Sequence, residues 1–454
     1  MLFGTDGIRG TVNHYPMTAE IALRFGMAAG VYLQNKERQQ SRNRAIIAKD
    51  TRLSGYLIEP ALTAGLVAVG VDVTLVGPMP TPAVSMLIKS LRADLGIMVT
   101  ASHNPYHDNG LKLFDQFGFK ISDECESAIQ NLILCNHESV HHVSFENFLA
   151  TPEKLGRVMR LEDAPGRYIE YMKSSFPKNY TLSGLRIVID CANGATYKIA
   201  PTIMWELGAE VITVGCDPTG FNINENCGTT CHGALAAKVV ETRADIGLAF
   251  DGDGDRILIC DEFGNIISGD HIIALIALYL RDAKLLKGDG IVVTHMSNGA
   301  LKEYMESQKM RVLTTRIGDR YVAAEMRKHG YNLGGEQSGH IILSDYSTTG
   351  DGILAGLHIL AALRMQQKKA SELFNLFPLT PQISINVKFK SANPLEQASI
   401  NENIEKIKSE NKHLKILVRK SGTETTIRIM VEGKDLREIK EVAVSIKKEL
   451  ERLT

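Results

Sequence analysis

Arg186-Ile187-Val188-Ile189 leading to Asn193-Gly194-Ala195, and Ile291-Val292-Val293-Thr294 leading to Asn298-Gly299-Ala300, are two copies of one pattern: a short apolar-rich run entering a small polar turn. A weaker copy stands near the start, where Ala45-Ile46-Ile47-Ala48 leads to Asp50-Thr51-Arg52. Each copy is followed by a helical stretch and a second strand-like run, at residues 71–76, 209–214 and 311–315. Each unit then closes with a run that enters a longer polar loop. Leu95-Gly96-Ile97-Met98-Val99 enters Thr100-Ala101-Ser102-His103-Asn104-Pro105. Ile246-Gly247-Leu248-Ala249-Phe250 enters Asp251-Gly252-Asp253-Gly254-Asp255-Arg256, and the third loop is Gly334-Gly335-Glu336-Gln337-Ser338-Gly339-His340. Strand, helix, strand alternation predicts mostly parallel sheets covered by helices. Ligands of such sheets bind beyond the carboxyl ends of the strands. The three loops are therefore expected to face one cleft.

The last stretch reads differently. Ile383-Ser384-Ile385-Asn386-Val387 alternates as a half-buried strand, and residues 415–418 and 426–431 flank the loop Arg419-Lys420-Ser421-Gly422-Thr423-Glu424-Thr425. A final helix is predicted from the capping residue Asp435, with Leu436, Ile439, Val442, Ala443, Ile446, Leu450 and Leu453 at helical spacing. The expected architecture is three similar α/β domains with mixed, mostly parallel sheets, plus a C-terminal α+β domain, around a central cleft. The expected boundaries are 1–154, 155–255, 256–366 and 367–454.

A chain of 454 residues is too long for a single core. Its net charge of −1 gives no global pull toward nucleic acid or an anionic membrane. No window approaches a membrane span, and no basic-then-apolar leader opens the chain. The seven cysteines are odd in number and scattered, which suits reduced thiols in a cytoplasmic enzyme. Cys227, Cys231 and His232 lack the second close ligand pair of a structural zinc site.

The loops carry the chemistry. Ser102 sits on a tight polar turn with His103 and Asn104 beside it and Lys112 close behind, a lysine able to steady a phosphate or shuttle a proton. Glycines at 252 and 254 let Asp251, Asp253 and Asp255 converge on one small cation, and Arg256 beside them suits a phosphate on that metal. An EF-hand fits poorly: Arg256 stands where its turn needs glycine, and strand-like runs flank the loop. A haloacid-dehalogenase-type phosphatase would want its aspartates after the first strand of the fold. Glu336, Gln337, Ser338 and His340 offer groups for sugar hydroxyls or an amine. Arg419 and Arg428, with Ser421, Thr423 and the amides of a turn containing Gly422, suit a phosphate that is bound but does not react. Arg9 and Arg52 are further anion candidates. A serine oxygen beside a hard-oxygen metal site is what phosphoryl transfer requires.

Together, the Ser102, Asp251, Glu336 and Arg419 loops resemble the four signature loops of the α-D-phosphohexomutases, in the family's order and across nearly the whole chain. Phe3 to Gly10, Gly77-Pro78-Met79-Pro80-Thr81-Pro82, Asp190-Cys191-Ala192-Asn193-Gly194-Ala195-Thr196-Tyr197 and Gly318-Asp319-Arg320-Tyr321-Val322 are similar to the branch that works on glucosamine phosphates. Thr425 departs from the proline usual there. The resemblance implies an isomerase-class mutase with Ser102 carried as phosphoserine. It implies one Mg²⁺ on Ser102, Asp251, Asp253 and Asp255, and a hexose 1,6-bisphosphate as activator. Ser102, Lys112, Arg9 and His103 would be catalytic. Arg256, Glu336, Ser338, His340, Arg419, Ser421, Gly422, Thr423 and Arg428 would bind a small sugar phosphate. Glucosamine 6-phosphate and 1-phosphate would interconvert in the cytoplasm, feeding cell-wall precursor synthesis. Phosphomannomutase or phosphoglucomutase activity is the rival with the same machinery, and a non-catalytic sugar-phosphate-binding protein the rival from another class. The sequence leaves the oligomeric state open, a homodimer included.

Overall fold

A computed structural model describes residues 2–4, 7–34, 42–134, 145–389, 393–420 and 425–452. It divides into two compact units: one holds residues 1–296 and 309–376, the other residues 297–308 and 377–454.

The first unit contains three sheets. The first is built from β1 (Ile8–Thr11), β2 (Arg44–Lys49), β3 (Asp72–Pro78), β4 (Leu95–Val99), β5 (Asp108–Asp115) and β6 (Val158–Arg160), in the order β1-β5-β4-β2-β3-β6. The second uses β7 (Arg186–Asp190), β8 (Glu210–Val214), β9 (Ile246–Phe250), β10 (Ile257–Asp261) and β11 (Ile266–Ile267), in the order β11-β10-β9-β7-β8. The third uses β12 (Gly290–Thr294), β13 (Arg311–Thr315), β14 (Leu333–Gly335) and β15 (Ile341–Leu343), in the order β13-β12-β14-β15.

One arrangement recurs in all three. The first strand of each repeat lies between the second and third, parallel to both: β2 between β3 and β4, β7 between β8 and β9, β12 between β13 and β14. A fourth strand then returns antiparallel to the third, as β5, β10 and β15. The repeat seen in the sequence is thus a repeat of topology. The strand that returns after each loop is not visible in the sequence repeat. β4, β9 and β12 are buried along their whole length. Parallel strands covered on both faces by helices are selected as continuous apolar runs, so these runs were legible. The Ser102, Asp251 and Glu336 loops each join a third strand to its antiparallel partner, at the carboxyl end of the parallel set.

In the second unit, β16 (Gln382–Lys388), β17 (Lys415–Lys420) and β18 (Thr426–Glu432) form an antiparallel sheet in the order β16-β18-β17. The helix Leu436–Glu451 covers it, capped by Asp435, whose carboxylate accepts the Arg437 N–H at 2.8 Å. Leu453 lies outside the described residues. A second helix, Ala398–Glu410, buries only Ile400 and Ile404, and so thin an apolar stripe gave no sequence signal. The Asn298-Gly299-Ala300 turn caps the helix Gly299–Ser307 in this unit, and Glu432 Oε1 accepts the Gly299 N–H at 2.9 Å.

Candidate active site

Three buried carboxylates meet at the end of β9. Asp251, Asp253 and Asp255 place ligand oxygens within 4.8 Å of one another. Two glycines make the turn possible. Gly254 adopts φ +71°, and a Cβ on Gly252 would lie 2.5 Å from the Ser102 carbonyl oxygen. The aspartate loop therefore rests directly on the serine loop of the first sheet. Ser102 itself is in the left-handed region at φ 51°. Its Oγ donates to Asp251 Oδ2 at 2.6 Å.

The electrostatics of the cluster are those of a cation site. Burial, then Asp255 and Asp253, pushes the Asp251 carboxyl well above the usual range. Burial also pushes Asp255 up, but Lys112 and His340 overcome it and hold Asp255 well below that range. Oδ1 of Asp253 and Oδ1 of Asp255 accept no hydrogen bond among the described residues. Three hard oxygen donors, crowded and only partly compensated, fit a divalent ion such as Mg²⁺.

Lys112 comes from β5, opposite Met98 of β4. It is 2% exposed, and its Nζ donates to Asp253 Oδ2 at 2.7 Å and to Asp255 Oδ2 at 2.8 Å. Thr81 adds a hydroxyl on Asp253 Oδ2. His103 Nδ1 stands 3.4 Å from Ser102 Oγ and 3.3 Å from Arg256 Nη1. Burial, with Arg256 and Arg9 nearby, lowers the His103 pKa to about 3, so the ring is neutral. Arg9 reaches the same loop and donates to the Ala101 carbonyl at 3.4 Å.

The third loop contributes less directly. Glu336 Oε1 accepts the Gly318 N–H at 3.0 Å, and the exposed Ser338 donates to Glu336 Oε2 at 3.4 Å. His340 does not face outward as a hydroxyl binder would. It is 3% exposed, with Nδ1 3.7 Å from Asp255 and Nε2 3.2 Å from Asp319. Burial lowers its pKa, but the two carboxylates prevail and raise it to about 10. The Gly350 N–H also points at Nε2, at 3.0 Å, which suits a neutral ring. Two carboxylates outweigh one amide dipole, and the ring is best read as imidazolium. Asp319, paired in turn with Lys120 at 2.5 Å, was not singled out from sequence except within its motif. In the second unit, Arg419 of β17 and Arg428 of β18 are directly opposite each other across the ladder. Ser421, Gly422 and Thr423 lie outside the described residues.

The comparisons with known proteins agree along the chain. Family models of phosphoglucomutase/phosphomannomutase match in order: α/β/α domain I at residues 1–139, domain II at 166–264, domain III at 268–379 and the C-terminal domain at 385–449. The chain is 54% identical over 436 residues to a phosphoglucosamine mutase of Parvibaculum lavamentivorans, covering 95% of this chain and 94% of that one. It is 54% identical over 435 residues to one of Granulibacter bethesdensis, covering 96% and 93%. Among solved structures, a phosphoglucomutase/phosphomannomutase family protein from Burkholderia thailandensis shares the fold with a TM-score of 0.80 at 24% identity, covering 99% of this chain and 97% of that one. An Aspergillus fumigatus N-acetylphosphoglucosamine mutase, solved with GlcNAc-6P and magnesium, gives 0.66 at 19% identity, covering 99% and 95%. The chain belongs to the phosphoglucomutase/phosphomannomutase family and is a mutase of the phosphohexomutase kind.

Proposed function

We propose that this chain interconverts glucosamine 6-phosphate and glucosamine 1-phosphate through phosphorylated Ser102 and a 1,6-bisphosphate. The observation that carries the chemistry is Ser102 Oγ lying 2.6 Å from Asp251 in a buried tri-aspartate cluster. The substrate rests on the 54% identity to phosphoglucosamine mutases over nearly the full length of both chains.

Ser102 carries the phosphoryl group. It passes to the sugar's free hydroxyl: a new O–P bond forms on the sugar, the Ser102 O–P bond breaks, and the hydroxyl proton ends on Ser102 Oγ. The bisphosphate turns end for end, and the other phosphoryl group returns to Ser102 by the reverse exchange. Asp251, Asp253 and Asp255, with Ser102, would hold Mg²⁺, which when bound supplies positive charge against the phosphoryl oxygens. Lys112 keeps two of those carboxylates fixed and partly neutralised. His103 stands beside the Ser102 oxygen, and Arg256 beside His103 and Arg9 on the Ala101 carbonyl supply guanidinium charge for the incoming anion. Glu336 and Ser338 hold the sugar's hydroxyls or amine. Arg419 and Arg428, with Ser421, Gly422 and Thr423, bind the phosphate that is not reacting. His340 stands between Asp255 and Asp319. A hexose 1,6-bisphosphate primes Ser102, and the cytoplasm is the expected place for such a reaction.

Phosphorus NMR of the protein with Mg²⁺, glucosamine 6-phosphate and a trace of glucose 1,6-bisphosphate tests this, with glucose 1-phosphate as a parallel substrate. Glucosamine 1-phosphate should form much faster than the glucose phosphates interconvert. Faster glucose turnover would overturn the substrate and keep the mechanism. No turnover of either would overturn both.

A further inference from the structure

Two motifs have no part in the reaction as just described: Asp50-Thr51-Arg52 and the segment that begins at Asp190. Both converge on the backbone of the Ser102 loop.

Arg52 is 1% exposed. Its Nε donates to Asp50 Oδ2 at 2.9 Å. Nη1 donates to the carbonyls of Pro105 and of Asp108, the latter at 3.0 Å. Nη2 donates to the carbonyls of Ser102 at 3.0 Å and Asn104 at 2.9 Å. A guanidinium has five N–H groups, and all five are spent. Arg52 is therefore not the anion site the sequence suggested, since nothing is left for an anion to accept.

Asn224 reaches the same two carbonyls from the second sheet's side. Its Nδ2 donates to Ser102 O at 2.9 Å and to Asn104 O at 3.0 Å. Asn224 is itself held in place, at φ 58°, with its N–H on the Ala192 carbonyl at 2.8 Å. Asp190 then ties that segment together, accepting the Ala192 N–H at 2.9 Å and the Gly228 N–H at 2.7 Å.

We propose that Arg52 and Asn224 are positioning residues for phosphoryl transfer, gripping the Ser102 and Asn104 carbonyls from two sheets so that Ser102 keeps the left-handed conformation that aims Oγ at Asp251. This rests on Ser102 being the phosphoryl carrier. A serine at positive φ is disfavoured and persists only where its surroundings impose it. Without the grip, Ser102 relaxes and its oxygen leaves the position beside the aspartates. A misplacement of about 1 Å can slow such a reaction by about 10²-fold without touching substrate binding.

Asn224→Gly tests this gently, because glycine keeps the positive φ and removes only the two donated hydrogen bonds. Arg52→Lys is the harsher variant, keeping the charge for Asp50 but offering at most three donors in place of five. Four quantities are read: the rate at which Ser102 gains a phosphoryl group from glucose 1,6-bisphosphate, by intact mass; kcat and KM for glucosamine 6-phosphate; and thermal melting. In the loading step the sugar O–P bond breaks, the Ser102 O–P bond forms, and the serine proton passes to the sugar oxygen. Asn224→Gly should slow both loading and kcat about tenfold, and Arg52→Lys about 10²-fold, with KM within about threefold. Loading at the native rate in folded Asn224→Gly protein overturns the proposal, as does a rise in KM that accounts for the whole loss. If Arg52→Lys does not fold, Asn224→Gly decides alone. A native chain that loads Ser102 but spares glucosamine phosphates removes the substrate assignment and leaves the grip standing. A native chain that never loads Ser102 overturns the reading beneath it.

Discussion

The Ser102 loop and the Glu336 loop occupy the same place in two copies of one unit, between a third parallel strand and its antiparallel return, yet they are built to opposite ends. Ser102 is 1% exposed, strained, and packed against a neighbouring loop. Ser338 is exposed, with one long hydrogen bond to a half-exposed glutamate. Topology alone puts both where ligands of parallel sheets bind, because the carboxyl ends of parallel strands leave loops free of the sheet. Both loop backbones are held, the Glu336 loop through the Gly339 carbonyl, which accepts the Ile257 N–H at 3.0 Å. What separates them is that the Ser102 side chain is buried against the aspartates and that of Ser338 is exposed. A reacting oxygen must be placed within a fraction of an ångström, whereas a group that recognises hydroxyls needs freedom to adapt. The Asp251 loop stands with Ser102: buried, glycine-shaped, and in contact with it.

The largest effect falls on the rigid pair. Ser102→Ala should remove the phosphoryl carrier and lower kcat by about 10⁴-fold or more, with no phosphate incorporated into the protein. Intact mass after incubation with glucose 1,6-bisphosphate, and initial mutase rates, check it. Substantial turnover by that variant would erase the distinction between the two loops.

Asp253→Asn comes next. It keeps the side chain's shape but removes one of three crowded negative charges. Activity should fall about 10²-fold and recover in part at raised Mg²⁺, because the weakened site binds the ion less tightly. In a chelator, the variant should melt lower than the native protein, since the buried Lys112 ammonium loses its charged partner at 2.7 Å. A variant that loses activity with unchanged Mg²⁺ dependence would show that Asp253 is no metal ligand.

These contrasts also mark what a reader of the sequence can see. β4, β9 and β12 announce themselves as apolar runs because they are buried on both faces. The carboxylate loop is equally plain, since alternate aspartates separated by glycines have few other uses. β5 is harder: Asp108-Asn109-Gly110-Leu111-Lys112 looks like a continued loop until β4 supplies its partner. Its register, set from outside the segment, is what buries Lys112 among the aspartates. Arg52 was misread for the same kind of reason. Its acceptors are main-chain carbonyls some 50 residues away, and no sequence shows where a carbonyl points. His340 looked like a cleft residue because its loop is polar, but the ring turns inward to Asp255 and Asp319.

The smallest effect belongs to the open loop. Ser338→Ala removes a single hydroxyl that is exposed and bonded to Glu336 at only 3.4 Å. A hydrogen bond of that kind contributes about 0.5–1.5 kcal/mol, so KM for glucosamine 6-phosphate should rise about two- to tenfold with kcat nearly unchanged. The ratio of glucosamine to glucose turnover should shift with it, as expected of a loop proposed to hold the sugar and not the reacting phosphoryl group. Steady-state kinetics on both substrates settles the matter. A kcat loss as large as that of Asp253→Asn, with KM intact, would place Ser338 among the reacting groups and make the third loop as rigidly committed as the first.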